Sequence, residues 1–435
     1  MAKRLFGTDG VRGPVGELLT ADLALALARA ATQRVRVEHP RVLIVRDTRE
    51  SGEMLEAAVA AGVAEAGGAA LTAGILPTPA APLLLLRYGL DLAVVLSASH
   101  NPYADNGIKF FGPDGHKLSD ALEEEIEHAM GEPAPYRTVG RVQPLRGTLE
   151  DYLRALHERF QGLDLSGLSI ALDCANGATY RAAPEIFRRL GASVSVFADE
   201  PDGRNINAGC GSIHIDYLST AVVAGDHDLG FAFDGDGDRV LAVDRTGTVV
   251  DGDELIALAA PHLGVEGVAV TVMTNYGFQQ AMREVGIDVA VTRVGDRYVL
   301  EELRKRGWTL GGEQSGHIID LGFAPSGDGI AGALLTLEAL DGGDLAGRGA
   351  MRKLPQILVN VAVSDRDAAI RDPDLRSAID HESDALQGRG RVLVRPSGTE
   401  PLIRVMVEAP TDDEARQVCD RLVAAVPANI GISSA

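Results

Sequence analysis

Between Phe233 and Arg239 the chain reads FDGDGDR, which places Asp234, Asp236 and Asp238 at alternate positions with glycines between them. In extended backbone those carboxylates share one side, and the glycines let other groups approach closely. Converging anions repel unless a cation joins them, and an all-oxygen donor set suits Mg²⁺. A calcium EF-hand is the rival, but such a loop needs Gly at its sixth place and Glu at its twelfth, where this chain has Arg239 and Arg245. An Asp-Gly hairpin turn without a metal is the plain alternative.

A second stretch, Ala93 to Lys109 (AVVLSASHNPYADNGIK), sets a Val-rich apolar run against a loop holding most of the reactive side-chain types. Ser97, Ser99, His100, Asn101, Pro102, Asp105, Asn106 and Gly107 are turn formers, and Pro102 cannot donate to a ladder. The chain is expected to leave a sheet there and present Ser97, Ser99, His100 and Lys109 at the carboxyl end of a strand, where open α/β sheets bind ligands. A serine hydroxyl needs activation. A Ser-His-Asp triad is disfavoured, because no GxSxG elbow is present and His100 points away from Ser99 if the backbone is extended. The other arrangement is a serine that carries a phosphoryl group, with a metal and cations absorbing the charge. It demands an acidic metal loop and a cationic phosphate cradle.

FDGDGDR supplies the first demand, and RPSGTEPLIR at 395–404 supplies the second. Arg395 and Arg404 can fork onto phosphate, while Ser397, Thr399 and the backbone freed by Gly398 make an anion nest. Neither a Walker A loop nor a GxGxxG after a strand occurs, so nucleotide readings lose their usual support. GGEQSGHI at 311–318 offers Glu313, Ser315 and His317, the carboxylate and hydroxyl that a site needs to hold vicinal sugar hydroxyls. FGTDGVRG at 6–13 is a glycine-studded loop carrying Asp9 and Arg12 ahead of a helix that begins near Thr20.

These loops need a framework that brings strand ends together. Buried strands at 41–45, at 93–96 and in SIALDCANGA, which follows Leu168, alternate with helices, among them Thr20 to Arg34 and Gly52 to Ala66. The pattern recurs three times, each copy ending a strand in a polar loop, which predicts an α/β fold with mainly parallel sheets and right-handed crossovers. From about Gln356 the pattern changes to a smaller α+β domain, with Glu338 to Pro355 as its linker. The expected domains are 1–160 with the serine loop, 161–250 with the metal loop, 251–352 with the sugar loop and 353–435 with the phosphate loop.

At 435 residues the chain is too long for a single core. It is 46% hydrophobic and 24% charged, and its formal charge of -21 disfavours a general nucleic-acid or anionic-membrane role. An anionic substrate must then be drawn by local Arg and Lys. Cys174, Cys210 and Cys419 are far apart and lack CxxC spacing, so neither a disulfide framework nor a zinc site is expected and a reducing cytoplasm fits best. No signal peptide or membrane-spanning run is recognisable.

The set FGTDGVRG, SASHNPYADNGIKFF, LDCANGA, FDGDGDRV, RVGDRYV, GGEQSGHI and RPSGTEPLIRVMVE closely resembles the α-D-phosphohexomutase superfamily over essentially the whole chain, and within it the branch that acts on glucosamine phosphates. The resemblance implies four domains around a central cleft. Ser99 would be the phosphorylated residue and, with Asp234, Asp236 and Asp238, a Mg²⁺ ligand. Glu313 and Ser315 would face the sugar, and the loop of Arg395, Ser397, Gly398, Thr399 and Arg404 would grip the phosphate that is not in transfer. Arg12, His100, Lys109 and Arg239 match further active-site positions, while Pro396 stands where a lysine is frequent.

The implied activity interconverts glucosamine 6-phosphate and glucosamine 1-phosphate through a glucosamine 1,6-bisphosphate that turns end for end, ahead of nucleotide-sugar and cell-wall precursor synthesis. A cradle on a hinged domain would serve both orientations. Lys109 is the candidate general acid/base, which requires its pKa to fall toward neutrality, and His100 could share the role. The phosphosugar is the expected partner, and a homodimer is compatible with the reading. The alternatives are a sister mutase for glucose or mannose phosphates, a metal-dependent phosphatase, and a calcium-binding scaffold.

Overall fold

Apolar strands and amphipathic helices build four sheets in chain order. The structure, a computed structural model, describes residues 5–7, 9–131, 139–397 and 400–427. The first sheet comprises β1 (Val11–Pro14), β2 (Arg41–Arg46), β3 (Ala69–Ile75), β4 (Leu92–Leu96), β5 (Asp105–Phe111) and β6 (Arg141–Pro144), in the order β1-β5-β4-β2-β3-β6. The run β4-β2-β3-β6 is parallel, whereas β5 is antiparallel to both β4 and β1. β4 is buried along its whole length, as a Val-rich strand covered on both faces must be.

The second sheet holds β7 (Ser169–Asp173), β8 (Ser193–Phe197), β9 (Leu229–Phe233), β10 (Val240–Asp244) and β11 (Val249–Val250), in the order β11-β10-β9-β7-β8. The third holds β12 (Gly267–Thr271), β13 (Asp288–Thr292), β14 (Leu310–Gly312) and β15 (Ile318–Asp320), in the order β13-β12-β14-β15. Each repeats the first sheet's plan, a parallel core with an antiparallel return strand at one side. The serine, metal and sugar loops are therefore hairpin connections: β4 to β5, β9 to β10 and β14 to β15.

Three local expectations change. Val11–Pro14 is an edge strand rather than part of a loop, because its register Val11↔Ile108, Arg12↔Gly107 gives those residues ladder partners. Asp105, Asn106 and Gly107 likewise open β5 instead of forming a turn, so Lys109 lies on a strand. The helix Gly329–Leu340 is buried over most of its length and occupies the start of the expected linker; it ends at Asp341 in the left-handed region.

The chain divides into two compact units, Met1–Met273 with Ile287–Arg348, and Thr274–Gly286 with Gly349–Ala435. The second unit contains the antiparallel sheet of β16 (Gln356–Ala362), β17 (Arg391–Pro396) and β18 (Leu402–Glu408), in the order β16-β18-β17. Helices Pro373–Leu386 and Asp412–Ala425 cover it through Leu375, Leu386, Val418 and Leu422. Buried Glu408 accepts from Arg391 Nε at 2.9 Å and from the Tyr276 amide at 2.8 Å, which fixes the first turn of the helix Tyr276–Glu284 to that sheet. Among the described residues no helix is long and apolar enough to cross a membrane.

Within the first unit, helices α1 (Ala21–Arg34) and α2 (Ser51–Glu65) cover one face of the first sheet with Leu27, Leu55, Val59 and Val63. They cross closely at Gly62, where a Cβ would sit 2.3 Å from the Leu25 carbonyl oxygen and 3.0 Å from the Arg29 amide nitrogen. Backbone at that distance cannot swing aside as a side chain can. Gly62→Ala is expected to destabilise the first unit by about 1–3 kcal/mol, seen as a lowered thermal midpoint. A wild-type melting curve would refute the close crossing.

Candidate active site

Ser99 follows β4 and is fully buried. Its φ of 53° is left-handed, a strained conformation for a serine, and it turns the side chain toward the metal loop. The Ser99 hydroxyl donates to Asp234 Oδ2 at 2.5 Å. The His100 ring follows it round, with Nδ1 3.4 Å from Ser99 Oγ, so the extended backbone assumed from sequence does not hold here.

Asp234, Asp236 and Asp238 are buried and converge, with one oxygen of each within 4.8 Å of the others. They do so through a turn and not an extended segment, since Gly237 has φ 73°. Asp234 Oδ1 accepts from the amides of Gly237 at 3.0 Å and Arg239 at 3.2 Å. The loop lies so near the serine that a Cβ at Gly235 would stand 2.6 Å from the Ser99 carbonyl oxygen. Asp236 Oδ2 accepts from Lys109 Nζ at 2.8 Å and Thr78 Oγ1 at 2.7 Å.

Buried carboxylates this close oppose one another's ionisation. Burial, then the charges of Asp238 and Asp236, push the Asp234 carboxyl well above the usual range. For Asp236 burial and Asp238 push the same way, but Lys109 and Thr78 outweigh them and hold it low. For Asp238 burial is outweighed by His317, Lys109 and Arg239. The cations answer in kind. Burial opposes charge on His317, yet Asp238, whose Oδ2 lies 3.7 Å from Nδ1, carries its pKa up to about 9.

Lys109 corrects an expectation. It is 1% exposed, and although burial opposes its charge, Asp236 and Asp9 raise its pKa above the ordinary lysine value instead of lowering it toward neutrality. His100 goes the other way, lowered by burial and by Arg239 and Arg12. Arg239 Nη1 lies 3.1 Å from His100 Nδ1, and since a guanidinium can only donate, that nitrogen is the acceptor.

Sequence reasoning missed a chain of alternating charges that ties these groups together. Asp9 pairs with Arg12, with Lys117 and, at 3.2 Å, with Lys109. Lys117 Nζ reaches Asp296 at 2.6 Å, and Asp296 lies 3.9 Å from His317 Nε2. Asp9, Asp296 and His317 stood in the quoted motifs FGTDG, RVGDR and GGEQSGHI, but only tertiary structure shows that they join; Thr78 and Lys117 carried no signal. Glu313 accepts from the Gly295 amide at 3.0 Å and acts electrostatically on Arg239 and His317, while Ser315 is exposed.

In the second unit, Arg395 and Arg404 are direct cross-strand partners, and Ser397 is buried with Oγ accepting from the Glu400 amide at 3.3 Å. Arg366, missed from sequence, donates to the Ser397 carbonyl at 2.5 Å. Gly398 and Thr399 lie outside the described residues.

The acidic cluster fits a divalent cation. Asp236 Oδ1 and Asp238 Oδ1 are buried without a hydrogen-bond partner among the described residues, a costly state that an oxygen-seeking cation would relieve.

Four domain families match along the chain: phosphoglucomutase/phosphomannomutase alpha/beta/alpha domain I over 3–137, domain II over 150–247, domain III over 251–356 and the C-terminal domain over 358–425. The chain belongs to the phosphoglucomutase/phosphomannomutase family and is an enzyme of the phosphotransferring isomerase class. It is 50% identical over 432 residues to phosphoglucosamine mutase of Moorella thermoacetica, an alignment covering 95% of this chain and 97% of the relative. Its fold resembles that of a phosphoglucomutase/phosphomannomutase family protein from Burkholderia thailandensis, with TM-score 0.82 at 23% identity over 98% of this chain and 97% of that one. It also resembles Aspergillus fumigatus N-acetylphosphoglucosamine mutase in complex with GlcNAc-6P and magnesium, with TM-score 0.68 at 19% identity over 97% and 95% of the two chains.

Mg²⁺ is expected to raise the thermal midpoint, by the equivalent of about 2.7 kcal/mol at a hundred times its Kd. Asp238→Asn should abolish most of that rise. An unchanged rise in the variant would remove Asp238 from the metal set.

Proposed function

We propose that this chain interconverts glucosamine 6-phosphate and glucosamine 1-phosphate, with Ser99 carrying the phosphoryl group between them. The observation that carries this reading is the buried Ser99 hydroxyl, 2.5 Å from Asp234 in a site where Lys109 and Arg239 offset the acidic cluster. The sugar is inferred from the Moorella relative, whose name specifies glucosamine and which aligns along nearly the whole chain. A reducing cytoplasm suits three buried, unpaired cysteines.

In the forward half-reaction the free sugar hydroxyl attacks phosphorus, the bond from phosphorus to Ser99 Oγ breaks, and the proton lost by the sugar hydroxyl ends on the freed Ser99 Oγ, so that no net proton is gained or lost. The bisphosphate then presents its other phosphate, and the reverse step restores phosphoserine. Asp234, Asp236, Asp238 and the Ser99 oxygen would hold Mg²⁺, which supplies charge neutralisation for a phosphoryl group in transit. Lys109, fixed by Asp236 and Asp9, contributes a permanent positive charge. His100 Nδ1 lies 3.4 Å from Ser99 Oγ and can exchange a proton with it only when Arg239 releases that nitrogen's single lone pair. Glu313 and Ser315 are assigned to the sugar hydroxyls, and Arg395, Ser397, Gly398, Thr399 and Arg404 to the phosphate that stays.

Ser99→Ala is expected to abolish both turnover and the added phosphoryl group seen by intact mass; appreciable turnover would end the covalent reading. Across glucosamine, glucose and mannose phosphates, kcat/KM should be highest for glucosamine, and a preference for either other sugar makes the chain a sister mutase. Arg404→Ala should raise KM for the phosphosugar at least tenfold with a smaller effect on kcat, by loss of about 1.4 kcal/mol or more of phosphate binding.

A further inference from the structure

The carbonyls of Ser99 and Asn101 are gripped by two residues that have no role in the chemistry described above. Arg49, fully buried in the turn before α2, donates from Nη2 to the Ser99 carbonyl at 3.1 Å and to the Asn101 carbonyl at 2.6 Å. Its Nη1 pairs with buried Asp47. Asp47 Oδ2 accepts from Ser97 Oγ at 2.6 Å, and Ser97 Oγ accepts from the Ser99 amide at 2.9 Å. All of these groups belong to loops of the first sheet.

Asn207 reaches the same two carbonyls from the domain that carries the metal loop. Its Nδ2 donates to Ser99 O at 3.0 Å and Asn101 O at 3.2 Å, while its Oδ1 is buried without a partner among the described residues. The side chain's hydrogen bonds thus go to the serine loop alone. Asn207 is itself left-handed at φ 59°, with its amide bonded to the Ala175 carbonyl at 2.9 Å. Asparagine tolerates that conformation better than most residues.

We propose that Arg49 and Asn207 are positioning residues for phosphoryl transfer: paired donors from two domains clamp the Ser99 and Asn101 carbonyls and hold Ser99 in the left-handed conformation that aims Oγ at Asp234. The inference rests on Ser99 being the phosphorylated residue. A serine released from the clamp relaxes toward ordinary backbone, which swings Oγ away from the acidic cluster. Since Ser99 Oγ must serve as leaving group in one half-reaction and as acceptor in the other, its position has to be the same at both ends of the cycle. Misplacement by an ångström costs about a hundredfold in such a step, and a loosened loop also admits water to the phosphoserine.

Two variants separate the clamp from general stability. Asn207→Gly removes the donor yet keeps the left-handed backbone unstrained, and Asn207→Asp keeps the shape but turns an acceptor toward the carbonyls. Both should lower kcat about tenfold to a hundredfold, leave KM and the Mg²⁺-induced rise in thermal midpoint nearly unchanged, and raise phosphoserine hydrolysis relative to transfer. Arg49→Lys should retain more kcat than Arg49→Ala. The clamp is refuted if Asn207→Gly keeps wild-type kcat and the wild-type ratio of hydrolysis to transfer, or if kcat, KM and the Mg²⁺ response fall together with the melting point. Activity surviving in Ser99→Ala would instead overturn the phosphoserine reading, whatever the Asn207 variants do.

Discussion

Three carboxylates confined within 4.8 Å, all buried, are the constraint on which the first unit depends. Desolvating one anion is costly and desolvating three together is worse, because each raises the cost of ionising the others. The molecule meets that cost with cations from separate places: Lys109 from the first sheet, Arg239 from the metal loop and His317 from the third sheet. The first three sheets are therefore tied to one another by charge as well as by packing, and the chain Asp238, His317, Asp296, Lys117, Asp9, Lys109, Asp236 closes the circuit.

The repeated sheet plan explains how such groups meet. A parallel core carries loops to the carboxyl ends of its strands, and an antiparallel return strand then brings the chain back along the same edge. Lys109 shows the advantage. It sits on β5 opposite Val95 of β4, so its ammonium group is held by a ladder and not by a loop. Groups mounted on strands keep their positions more narrowly than groups on loops. Ser99, in contrast, sits on a loop in strained backbone, and the donors packed against its carbonyl make up for the missing ladder.

Much of this was legible in the sequence where one short stretch holds both the element and its chemistry. The Val-rich β4 followed by Ser99, and β9 followed by the aspartates, were visible because apolar runs and turn formers meet at a boundary. Asn106 and Gly107 were misread as turn residues because an antiparallel strand that presses its backbone on a neighbour also needs small residues: a Cβ at Gly107 would lie 2.3 Å from the Ser97 carbonyl oxygen. β14 and β15 have only three residues each, too few for a periodicity to reveal their direction. The rise in the Lys109 pKa was beyond sequence, since it depends on Asp236 and Asp9 arriving from 127 and 100 positions away along the chain. Arg49 and Asn207 are ordinary polar residues until the fold shows both donating to the Ser99 and Asn101 carbonyls.

Like charges are also held close together in the second unit. Arg395 and Arg404 stand directly opposite each other on β17 and β18, an arrangement that disfavours the sheet because like charges repel across a ladder. Arg404 Nε is also buried without a partner among the described residues, and Glu400 lies 3.9 Å from the guanidinium, too far for a close fork. Under the reading proposed above, a phosphate arriving between Arg395 and Arg404 would offset that repulsion on a protein of formal charge -21. The same reasoning applies to the aspartates, with the signs reversed and a cation as the relieving ligand.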